Sequence, residues 1–161
     1  MAVASGRSCT PDVSFSRVAA TDADALALAA SATAAGDRIY ADKTLPPAPT
    51  LEQLLDGGGR VLVAYVSGEP IACGAVRLLA PGIGEIKRMF VAPVWRGRGV
   101  GRRLLVALEA QAAELGCTRV RLDTGSRQRV ALALYRSSGY DEIDDFNRQP
   151  GAAHWFQKRL P

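Results

Sequence analysis

Apolar and polar residues alternate at the start of the chain in a pattern that predicts a strand followed by a helix. Residues 13–19 alternate between two faces, as expected for a strand with one polar face. Thr21 then offers an N-cap, and acidic residues follow where carboxylates suit the positive end of a helix, which predicts a helix over 22–34. Gly36 would end this helix, and the proline-rich segment 42–49 can be neither a helix nor a central strand.

The middle of the chain predicts an antiparallel meander of three strands. A short helix from Thr50 comes first and ends at a run of glycines. Residues 61–66 are nearly all apolar, a Ser-Gly pair marks a hairpin turn, and residues 70–79 return with small and β-branched side chains. After a Pro-Gly turn, residues 84–92 form the third strand, which Pro93 ends because proline cannot donate to a sheet.

The second half of the pattern predicts helices that alternate with strands. Apolar residues recur at helical spacing over 100–115, and Gly116 closes this helix. Residues 118–124 form a strand, which is parallel to the strand before the helix if the helix is a standard crossover. One more helix and two terminal strands follow, over 128–137, 140–146 and 153–160. The predicted fold class is α/β with a mixed sheet of the α+β kind: an antiparallel meander, a β-α-β unit and a C-terminal α-β-β unit.

Length and composition place this pattern in one globular domain. Of the 161 residues, 48% are hydrophobic and 22% are charged, which suits neither a disordered chain nor a fibrous repeat. We expect a single domain over residues 13–161. Residues 1–12 are small and polar without periodicity, and we expect them to form a flexible N-terminal tail.

The positive charge of the chain is local. The formal net charge of +4 favours anionic partners, and the arginines concentrate over 88–103 and 119–136. Aromatic residues do not interleave with them as in a nucleic-acid surface, so we expect a small phosphate ligand and no nucleic acid. The chain opens without a secretory signal and has no apolar run long enough for a bilayer, so we expect a cytoplasmic protein without a membrane partner.

Cysteine and histidine residues are too few and too scattered to predict a metal centre. The three cysteines are far apart and form no paired motif, which predicts reduced thiols rather than disulfides or a zinc site. They are Cys9, Cys73 and Cys117. His154 is the only histidine, and we expect it to be structural or at the surface.

A glycine-rich turn between the third strand and the long helix predicts an anion-binding site. Gly97, Gly99 and Gly101 remove side chains where the helix begins, so an anion can closely approach its unpaired N–H groups. Four arginines surround the turn: Arg96, Arg98, Arg102 and Arg103. Consecutive N–H groups there can form a concave nest for a phosphate or a diphosphate.

Two common nucleotide-binding loops do not fit this turn. A dinucleotide turn that began at Gly99 would need glycine at position 104, where the chain has Leu104. A P-loop would need lysine followed by serine or threonine after its last glycine, where Arg102 and Arg103 stand. Neither of these motifs therefore identifies the anion that would bind at this turn.

The pattern that remains, Arg96-x-x-Gly99-x-Gly101, resembles the signature of the GCN5-related N-acetyltransferase (GNAT) family. That signature has Gln or Arg, two residues, Gly, one residue, then Gly or Ala. The strand end before the turn, the long helix and the later segment Leu134-Tyr135-x-x-x-Gly139-Tyr140 also fall in the family's order. The resemblance covers about residues 13–161. It implies the GNAT acyl-CoA N-acyltransferase fold, in which the two parallel strands splay apart.

The resemblance implies that the turn binds acetyl-CoA, the acyl donor, with its diphosphate at the helix N-terminus. The strand end before the turn would hold the pantetheine arm through free backbone groups, and the N–H of Phe90 or Val91 could polarise the thioester carbonyl. The implied cofactor-binding residues are Met89, Phe90, Val91, Arg96, Gly97, Arg98, Gly99, Val100, Gly101 and Arg102. The alternative is a plain glycine-rich turn with solvated arginines.

Glu85 is the candidate catalytic base, acting directly or through a water, because family members often carry a glutamate at its position. The alternative is a strand-end carboxylate that pairs with a neighbouring cation such as Lys87. Strict strand alternation would place Glu85, Lys87, Met89 and Val91 on one face of the sheet. A bulge in the strand would shift that alternation.

Tyr135 is the candidate catalytic acid, because it aligns with a tyrosine that protonates the CoA sulfur in many family members. A phenol with a reference pKa near ~10 keeps its proton at neutral pH. The alternative is a tyrosine that only packs on the buried side of its helix. Family members often have an asparagine seven residues earlier that contacts the cofactor, and this chain departs from them with Gln128.

The acceptor pocket is implied to lie between the segments 37–44 and 144–151. Asp123 could bind either a neighbouring backbone group or a substrate ammonium. Six further polar residues could each face a substrate or only solvent: Arg38, Tyr40, Asp144, Asp145, Asn147 and Arg148. Trp95 is expected to be a packing residue at the turn.

The resemblance and the residues together predict an acetyl-CoA-dependent N-acetyltransferase. It would act on a primary amine of a small molecule by direct attack in a ternary complex, without a metal. Two alternatives stay open, a non-catalytic acyl-CoA-binding module and a protein N-terminal or lysine acetyltransferase. The terminal strands could also pair two subunits into a homodimer.

Overall fold

A computed structural model describes residues 11–161, so residues 1–10 of the predicted tail lie outside the described part of the chain. One seven-stranded sheet has the strand order β1-β2-β3-β4-β5-β7-β6. Its strands are β1 (Ser14–Val18), β2 (Gly59–Val66), β3 (Glu69–Ala80), β4 (Ile83–Val91), β5 (Arg119–Thr124), β6 (Asp141–Ile143) and β7 (His154–Arg159). The helices are α1 (Ala23–Ile39), α2 (Leu51–Leu54), α3 (Val100–Glu114) and α4 (Arg129–Ser137).

The sheet has the predicted mixed topology, which confirms the fold class. Strands β1 to β4 pair antiparallel in sequence order, and β4 then pairs parallel to β5 after the crossover through α3. Ser67 and Gly68 both have positive φ values, 49° and 81°, as a two-residue hairpin turn of the favoured twist requires. The C-terminal strand β7 lies between β5 and β6 and is antiparallel to both.

Helix α1 differs from the prediction at both ends. Asp22 caps the helix in place of Thr21, because its carboxylate accepts the N–H of Ala25 at 3.0 Å. The helix also runs through Gly36 to Ile39, and the carbonyl of Gly36 accepts the N–H of Tyr40 at 3.0 Å. Tyr40 is buried, so the packing of this residue extends the helix past a glycine that could have ended it.

The predicted strand over 140–146 is only three residues long. Strand β6 ends at Ile143, and the carboxylate of Asp145 then accepts the N–H groups of Asn147 and Arg148 at 3.0 and 2.7 Å. These local bonds turn the chain back toward the sheet in place of a longer strand. As a result, the side chain of Asn147 reaches the carboxylates at the centre of the sheet.

The sheet is covered by helices on both faces. The apolar stripe of α3, which includes the fully buried Leu104, Leu105 and Leu108, packs on one face together with Leu132 and Tyr135 of α4. A second cluster on the other face joins α1 and α2 to β2 and β3. Strands β4 and β5 separate between these two layers.

A bulge in β4 reverses the alternation of its side chains. Arg88 and Met89 together stand opposite the single residue Gly74 of β3, and Arg88 has a positive φ of 59°. Before the bulge, Ile86 packs with the α3 cluster, which places Glu85 and Lys87 on the opposite face. After it, Met89 and Val91 pack with the α3 cluster, so they do not share a face with Glu85. Strict alternation therefore gives the wrong face for these two residues.

Strands β4 and β5 splay apart, as the resemblance implied. Their parallel pairing covers only three residue pairs, from Ile83 opposite Arg119 to Glu85 opposite Arg121. Strand β4 nevertheless continues to Val91, and β5 continues to Thr124. The sheet opens at the carboxyl ends of two parallel strands, which is where α/β proteins form binding crevices.

Candidate active site

The glycine turn has an open surface at the start of α3. Gly97 and Gly99 have φ values of 72° and 76°, in the left-handed region that disfavours other residues. A Cβ atom at either position would meet nothing within 4 Å. Gly99 is the N-cap of α3, and no side chain caps this helix terminus. Its first N–H groups are therefore available to an anion.

Gly101 differs from the other two glycines of the turn. Its φ is not positive, and a Cβ atom there would meet only Leu134 and Val91, at 3.6 and 3.8 Å. Both distances are ordinary van der Waals contacts. Alanine would therefore fit at this position, in agreement with a signature that has either glycine or alanine there.

The arginines around the turn are not equivalent. Arg96 donates to the carbonyl of Val91 at 2.9 Å, and its guanidinium lies 5.5 Å from the ring centre of Phe90. Arg102 donates to Ser137 and Ser138 at the end of α4. Arg103 donates to backbone carbonyls of Pro11 and Val13. The side chains of Arg102 and Arg103 thus hold neighbouring segments against α3.

The N–H of Val91 points into the gap between β4 and β5. Ala92 donates to the carbonyl of Ile71 in β3, and hydrogen-bonded pairs alternate with non-hydrogen-bonded pairs in an antiparallel ladder. Phe90 is therefore hydrogen-bonded to Cys73, and the backbone groups of Val91 point away from β3. The contact of Arg96 with the Val91 carbonyl lies on that outer side. Of the two candidate N–H groups, only that of Val91 is directed toward a ligand in the gap.

A groove of about 380 Å³ runs from the end of β4 to the glycine turn. The turn and β4 form one wall, and α4 and the C-terminal half of α1 form the rest. Its lining includes Met89, Phe90, Val91, Trp95, Arg96, Gly97, Gly99, Val100, Gly101, Gln128, Leu134 and Tyr135. Eight of the ten predicted cofactor-binding residues lie along it, and the other two, Arg98 and Arg102, do not. Gln128, which the family pattern had left in question, also lines it.

A second cavity, also of about 380 Å³, lies at the inner end of this groove. Five residues line both spaces: Ala32, Met89, Gln128, Ala131 and Tyr135. The second cavity also has charged walls, formed by Arg77, Lys87, Arg88 and Asp123. We call it the inner cavity. Two ligands could thus meet where β4 and α4 approach each other.

Glu85 lies at the centre of an ionic network beneath the inner cavity. Its side chain is 0% exposed, and its carboxylate accepts from Arg77 at 2.6 Å and from Asn147 at 2.9 Å. The ammonium of Lys87 is 3.3 Å away. Burial by itself would raise the pKa of Glu85, but the charge of Lys87 and the bonds from Asn147 and Arg77 outweigh burial and hold the pKa below its ordinary value.

Asp123 shares the partners of Glu85 and reaches the inner cavity. Its carboxylate accepts from Lys87 at 2.6 Å and from Asn147 at 2.7 Å, and its side chain is 10% exposed. Trp155 donates to the side-chain oxygen of Asn147 at 2.9 Å and so fixes the orientation of that amide. Arg77 and Trp155 are network residues that no sequence motif indicated.

Tyr135 lies at the junction of the two spaces. Its ring packs near Tyr140 and Phe156, at centroid distances of 5.9 and 5.8 Å, and only 7% of the residue is exposed. Burial raises the pKa of its phenol to about 12, and the negative charge of Asp123 adds to this effect. Within residues 11–161 the Tyr135 hydroxyl makes no hydrogen bond, so it is available to a ligand at the junction.

The predicted acceptor residues divide into three groups. Tyr40 lines the inner cavity, and Asn147 joins the ionic network beneath it. Asp145 instead stabilises the turn after β6. The remaining three, Arg38, Asp144 and Arg148, do not line the inner cavity. The loops around them do contribute, through Leu45, Pro49, Gln149 and Gly151.

The described residues lack two other kinds of site. No helix within 11–161 is both long and apolar enough to cross a membrane. In the same part of the chain, no three His, Cys, Asp or Glu side chains come together as metal ligands.

Known proteins resemble this chain both in sequence and in fold. Residues 27–140 match the acetyltransferase (GNAT) family. The chain is 43% identical over 88 residues to the IAA acetyltransferase of Azospirillum brasilense, a match that covers 54% of this chain and 58% of that protein. The chain thus spans less than two thirds of that relative. It is also 30% identical over 115 residues to an aminoglycoside N(6')-acetyltransferase type 1 of Stenotrophomonas maltophilia, covering 66% of this chain and 75% of that protein.

Solved structures extend the similarity over nearly the whole chain. A Klebsiella pneumoniae protein described as an acyl-CoA N-acyltransferase is 33% identical, with a TM-score of 0.75, and the match covers 92% of this chain and 98% of that one. A GNAT family acetyltransferase from Elizabethkingia anophelis, solved with acetyl-CoA bound, has the same fold at 17% identity, with a TM-score of 0.64 and coverages of 92% and 98%.

Proposed function

Since this chain belongs to the acetyltransferase (GNAT) family, we propose that it transfers the acetyl group of acetyl-CoA to a primary amine of a small molecule. Transfer occurs by direct attack of the amine within a ternary complex. The observation that carries this proposal is the junction of two cavities at Met89 and Tyr135. A donor in the groove and an acceptor in the inner cavity would meet there without a covalent enzyme intermediate.

The groove has the features that acetyl-CoA requires. The open turn at Gly97 and Gly99 and the uncapped start of α3 suit a diphosphate. The gap beside Val91 offers a backbone N–H to the thioester carbonyl. Acetyl-CoA supplies an activated acetyl group, and structures such as that of the Elizabethkingia protein hold it on the same fold.

Tyr135 is our proposed acid. Tyr135 lines both the groove and the inner cavity, and its raised pKa of about 12 keeps the proton in place at neutral pH. The departing CoA thiolate takes that proton, and the tyrosine regains one from solvent. A substrate ammonium must lose one proton before its nitrogen attacks and a second afterwards, so the overall reaction releases one proton.

Glu85 remains our proposed base, and it acts through a relay. Its lowered pKa keeps the carboxylate ionised at neutral pH, but full burial and three donors keep it out of direct contact with the inner cavity. Asp123 shares Lys87 and Asn147 with Glu85 and lines that cavity. We propose that Asp123 receives the substrate ammonium and that protons leave through this network or its water.

The full chain and a panel of amines provide the test. Acetyl-CoA is mixed with the protein and each amine, and release of free CoA thiol is followed while calorimetry measures CoA binding. We expect CoA binding without any amine, and thiol release only when a suitable amine is present. Absence of CoA binding would refute the proposal. CoA binding without transfer to any amine would instead favour a non-catalytic acyl-CoA-binding module.

A further inference from the structure

Arg88 differs from the other two cations of the inner cavity. Arg77 pairs with Glu85, and Lys87 pairs with both Asp123 and Glu85. Arg88 has no carboxylate partner among residues 11–161. Because three cations face two carboxylates, this side of the cavity carries an uncompensated positive charge at Arg88.

The backbone at Arg88 is held in a costly conformation. Its φ of 59° lies in the left-handed region, where a residue with a side chain costs roughly 1–2 kcal/mol. The β4 bulge that creates this conformation also carries the arginine to the wall of the inner cavity. Such strain is typical of positions where a side chain must be aimed at a ligand.

The guanidinium of Arg88 retains most of its donors. One nitrogen, Nη2, donates to the carbonyl of Pro49, which holds the loop before α2 against β4. Arginine carries five N–H donors in a planar fork, and the others have no partner within residues 11–161. A single loop contact therefore does not account for this half-buried cation. A planar anion would satisfy the free side of the fork.

The position of Arg88 relates this anion to the reacting amine. Arg88 immediately precedes Met89, which lines the junction with the donor groove. Arg88 also borders a larger cavity of about 1010 Å³ that extends along α1 and the proline-rich loop. An acceptor could therefore place its amine at the junction and an anionic group a short distance away at Arg88.

We propose that the acceptor is an amine that also carries a carboxylate, as an amino acid does, and that Arg88 binds this carboxylate. The inference rests on the proposed function, because it assigns an acceptor class to the inner cavity. A polycationic acceptor would instead have to approach Arg77, Lys87 and Arg88 together, which like charge disfavours. Apolar residues such as Leu45 and Leu54 on the same walls would contact the acceptor's side chain.

The first experiment measures binding and does not depend on catalysis. Full-length protein saturated with CoA is titrated by calorimetry with N-acetyl derivatives of leucine, phenylalanine and glutamate, each as the free α-carboxylate and as the α-carboxamide. The two forms differ only in the charge that Arg88 would recognise. We expect at least one carboxylate to bind about tenfold or more tightly than its amide, the size typical of a charge-assisted hydrogen bond.

Two substitutions locate this preference. Arg88→Gln should reduce the preference for carboxylate to about twofold or less, and Arg88→Lys should leave an intermediate preference, because lysine keeps the charge without the fork. Arg159→Gln is the matched control: it removes the same charge from an exposed position at the end of β7 and should change nothing. CoA affinity should be unchanged in all three variants.

The outcomes separate this inference from the proposed function. Equal binding of acids and amides, binding of no acid in the panel, or an undiminished preference in Arg88→Gln would each overturn it. If Arg88→Gln does not fold, the comparison of acid and amide on the unaltered protein and on Arg88→Lys decides the matter. Transfer to amines regardless of a carboxylate would overturn this inference alone. Carboxylate binding at Arg88 without any acetyl transfer would support the carboxylate site but refute the proposed function, and with it the assignment of that carboxylate to an acceptor.

Discussion

At the scale of single residues, burial determines which groups can exchange protons in this site. Tyr135 and Glu85 are both buried, but their surroundings shift their pKa values in opposite directions. Tyr135 lies among aromatic rings, and burial raises the pKa of its phenol to about 12. Glu85 lies among donors whose effect exceeds that of burial, so its pKa is lowered. Tyr135 is thus kept protonated and Glu85 ionised at neutral pH, as the acid and base that we propose must be before transfer.

Tyr135→Phe should slow acetyl transfer while the fold stays intact. Loss of a general acid typically costs roughly 10²-fold in rate, and the hydroxyl has no hydrogen-bond partner in residues 11–161 whose loss would destabilise the protein. We expect a fall of about that size in kcat, with CoA affinity unchanged. Steady-state thiol release and calorimetry measure the two quantities. An undiminished kcat would remove Tyr135 from the mechanism.

The raised pKa of Tyr135 leads to a prediction about how kcat and stability depend on pH. Because its pKa is raised to about 12, Tyr135 stays protonated well above neutral pH, and kcat should show no alkaline decline below about pH 10. The contribution of Tyr135 to the free energy of unfolding should be lost as pH rises from near 10, where the unfolded tyrosine ionises, through about 12. A kcat decline centred below pH 9 that is absent in Tyr135→Phe would contradict this assignment.

Glu85→Gln and Asp123→Asn test the proton relay together. If protons leave through the shared network, both variants should lower kcat at pH 7 by roughly 10-fold or more, because each removes a proton-accepting carboxylate. The lowered pKa of Glu85 contributes stability above about pH 4.5, and this contribution is lost as pH falls through the folded-state pKa. The free energy of unfolding of Glu85→Gln should therefore depend less on pH in the acid range than that of the parent. An effect on stability without any effect on kcat would leave Glu85 as a structural ion pair.

At the scale of secondary-structure elements, the loop between β4 and α3 combines two requirements. Its backbone must turn sharply after the 3₁₀ turn Pro93–Trp95, and its N–H groups must stay open if it binds the proposed diphosphate. Glycines with positive φ at 97 and 99 meet both requirements, whereas Gly101 lies within the helix and is not strained. The three glycines of the motif therefore have different physical roles.

Gly99→Ala and Gly101→Ala form a matched pair that tests these roles. Alanine at position 99 must adopt a φ of 76°, which costs about 1–2 kcal/mol of stability or shifts the turn. We expect CoA binding to weaken at least 10-fold in Gly99→Ala. Gly101→Ala adds a methyl in ordinary contact distance inside a helix and should keep stability within about 1 kcal/mol of the parent. Equal CoA affinity in both variants would refute the turn as the diphosphate site.

Pairing between elements could be predicted only in part from the sequence. A simple two-residue hairpin at Pro81-Gly82 would place Leu78 opposite Glu85. The irregularity between Leu78 and Ala80 shifts the register by one, so Arg77 stands there and binds Glu85. The bulge at Arg88 then reverses the side chains that follow. The shifted residues themselves, 78–80 and 88–89, include no glycine or proline that would indicate a shift. Both shifts depend on how β3 and β4 pack together.

At the scale of the whole molecule, α3 connects the glycine turn, the proposed diphosphate site, to the core. The turn forms its N-terminus, and its apolar face packs on β3 and β4 through residues such as the fully buried Leu108. Gly74 of β3 leaves the space for this leucine, since a Cβ there would lie 2.6 Å from it. Ligand binding at the turn should therefore raise the free energy of unfolding of the entire fold.

Leu108→Ala tests this coupling. Removing a fully buried leucine should lower the free energy of unfolding by about 2–5 kcal/mol. CoA at about 100 times its Kd should restore roughly 2.7 kcal/mol by mass action. Val106→Ala on the exposed face of the same helix, where the side chain is 58% exposed, should change stability by less than about 0.5 kcal/mol. Chemical denaturation of the parent and both variants, with and without CoA, measures these changes in the free energy of unfolding. Absence of stabilisation by CoA would contradict the coupling.

Two predictions about the whole molecule remain to be tested. The single domain over residues 13–161 and the homodimer are both still predictions. The sheet ends in β1 at one edge and in the three-residue β6 at the other. Analytical ultracentrifugation of the full chain would determine whether either edge pairs two copies.

The sequence by itself determined the elements, their order and the glycine turn that we propose binds an anion. Apolar periodicity, proline stops and the glycines of the turn act locally, so they can be interpreted without a partner segment. Only the tertiary structure decided which groups meet. Arg77 and Asn147 donate to Glu85, and the backbone N–H of Val91, rather than that of Phe90, points into the gap. Arg88 lines the inner cavity without a carboxylate partner within residues 11–161. These contacts depend on register, bulges and loop packing, which arise between segments that are distant in sequence.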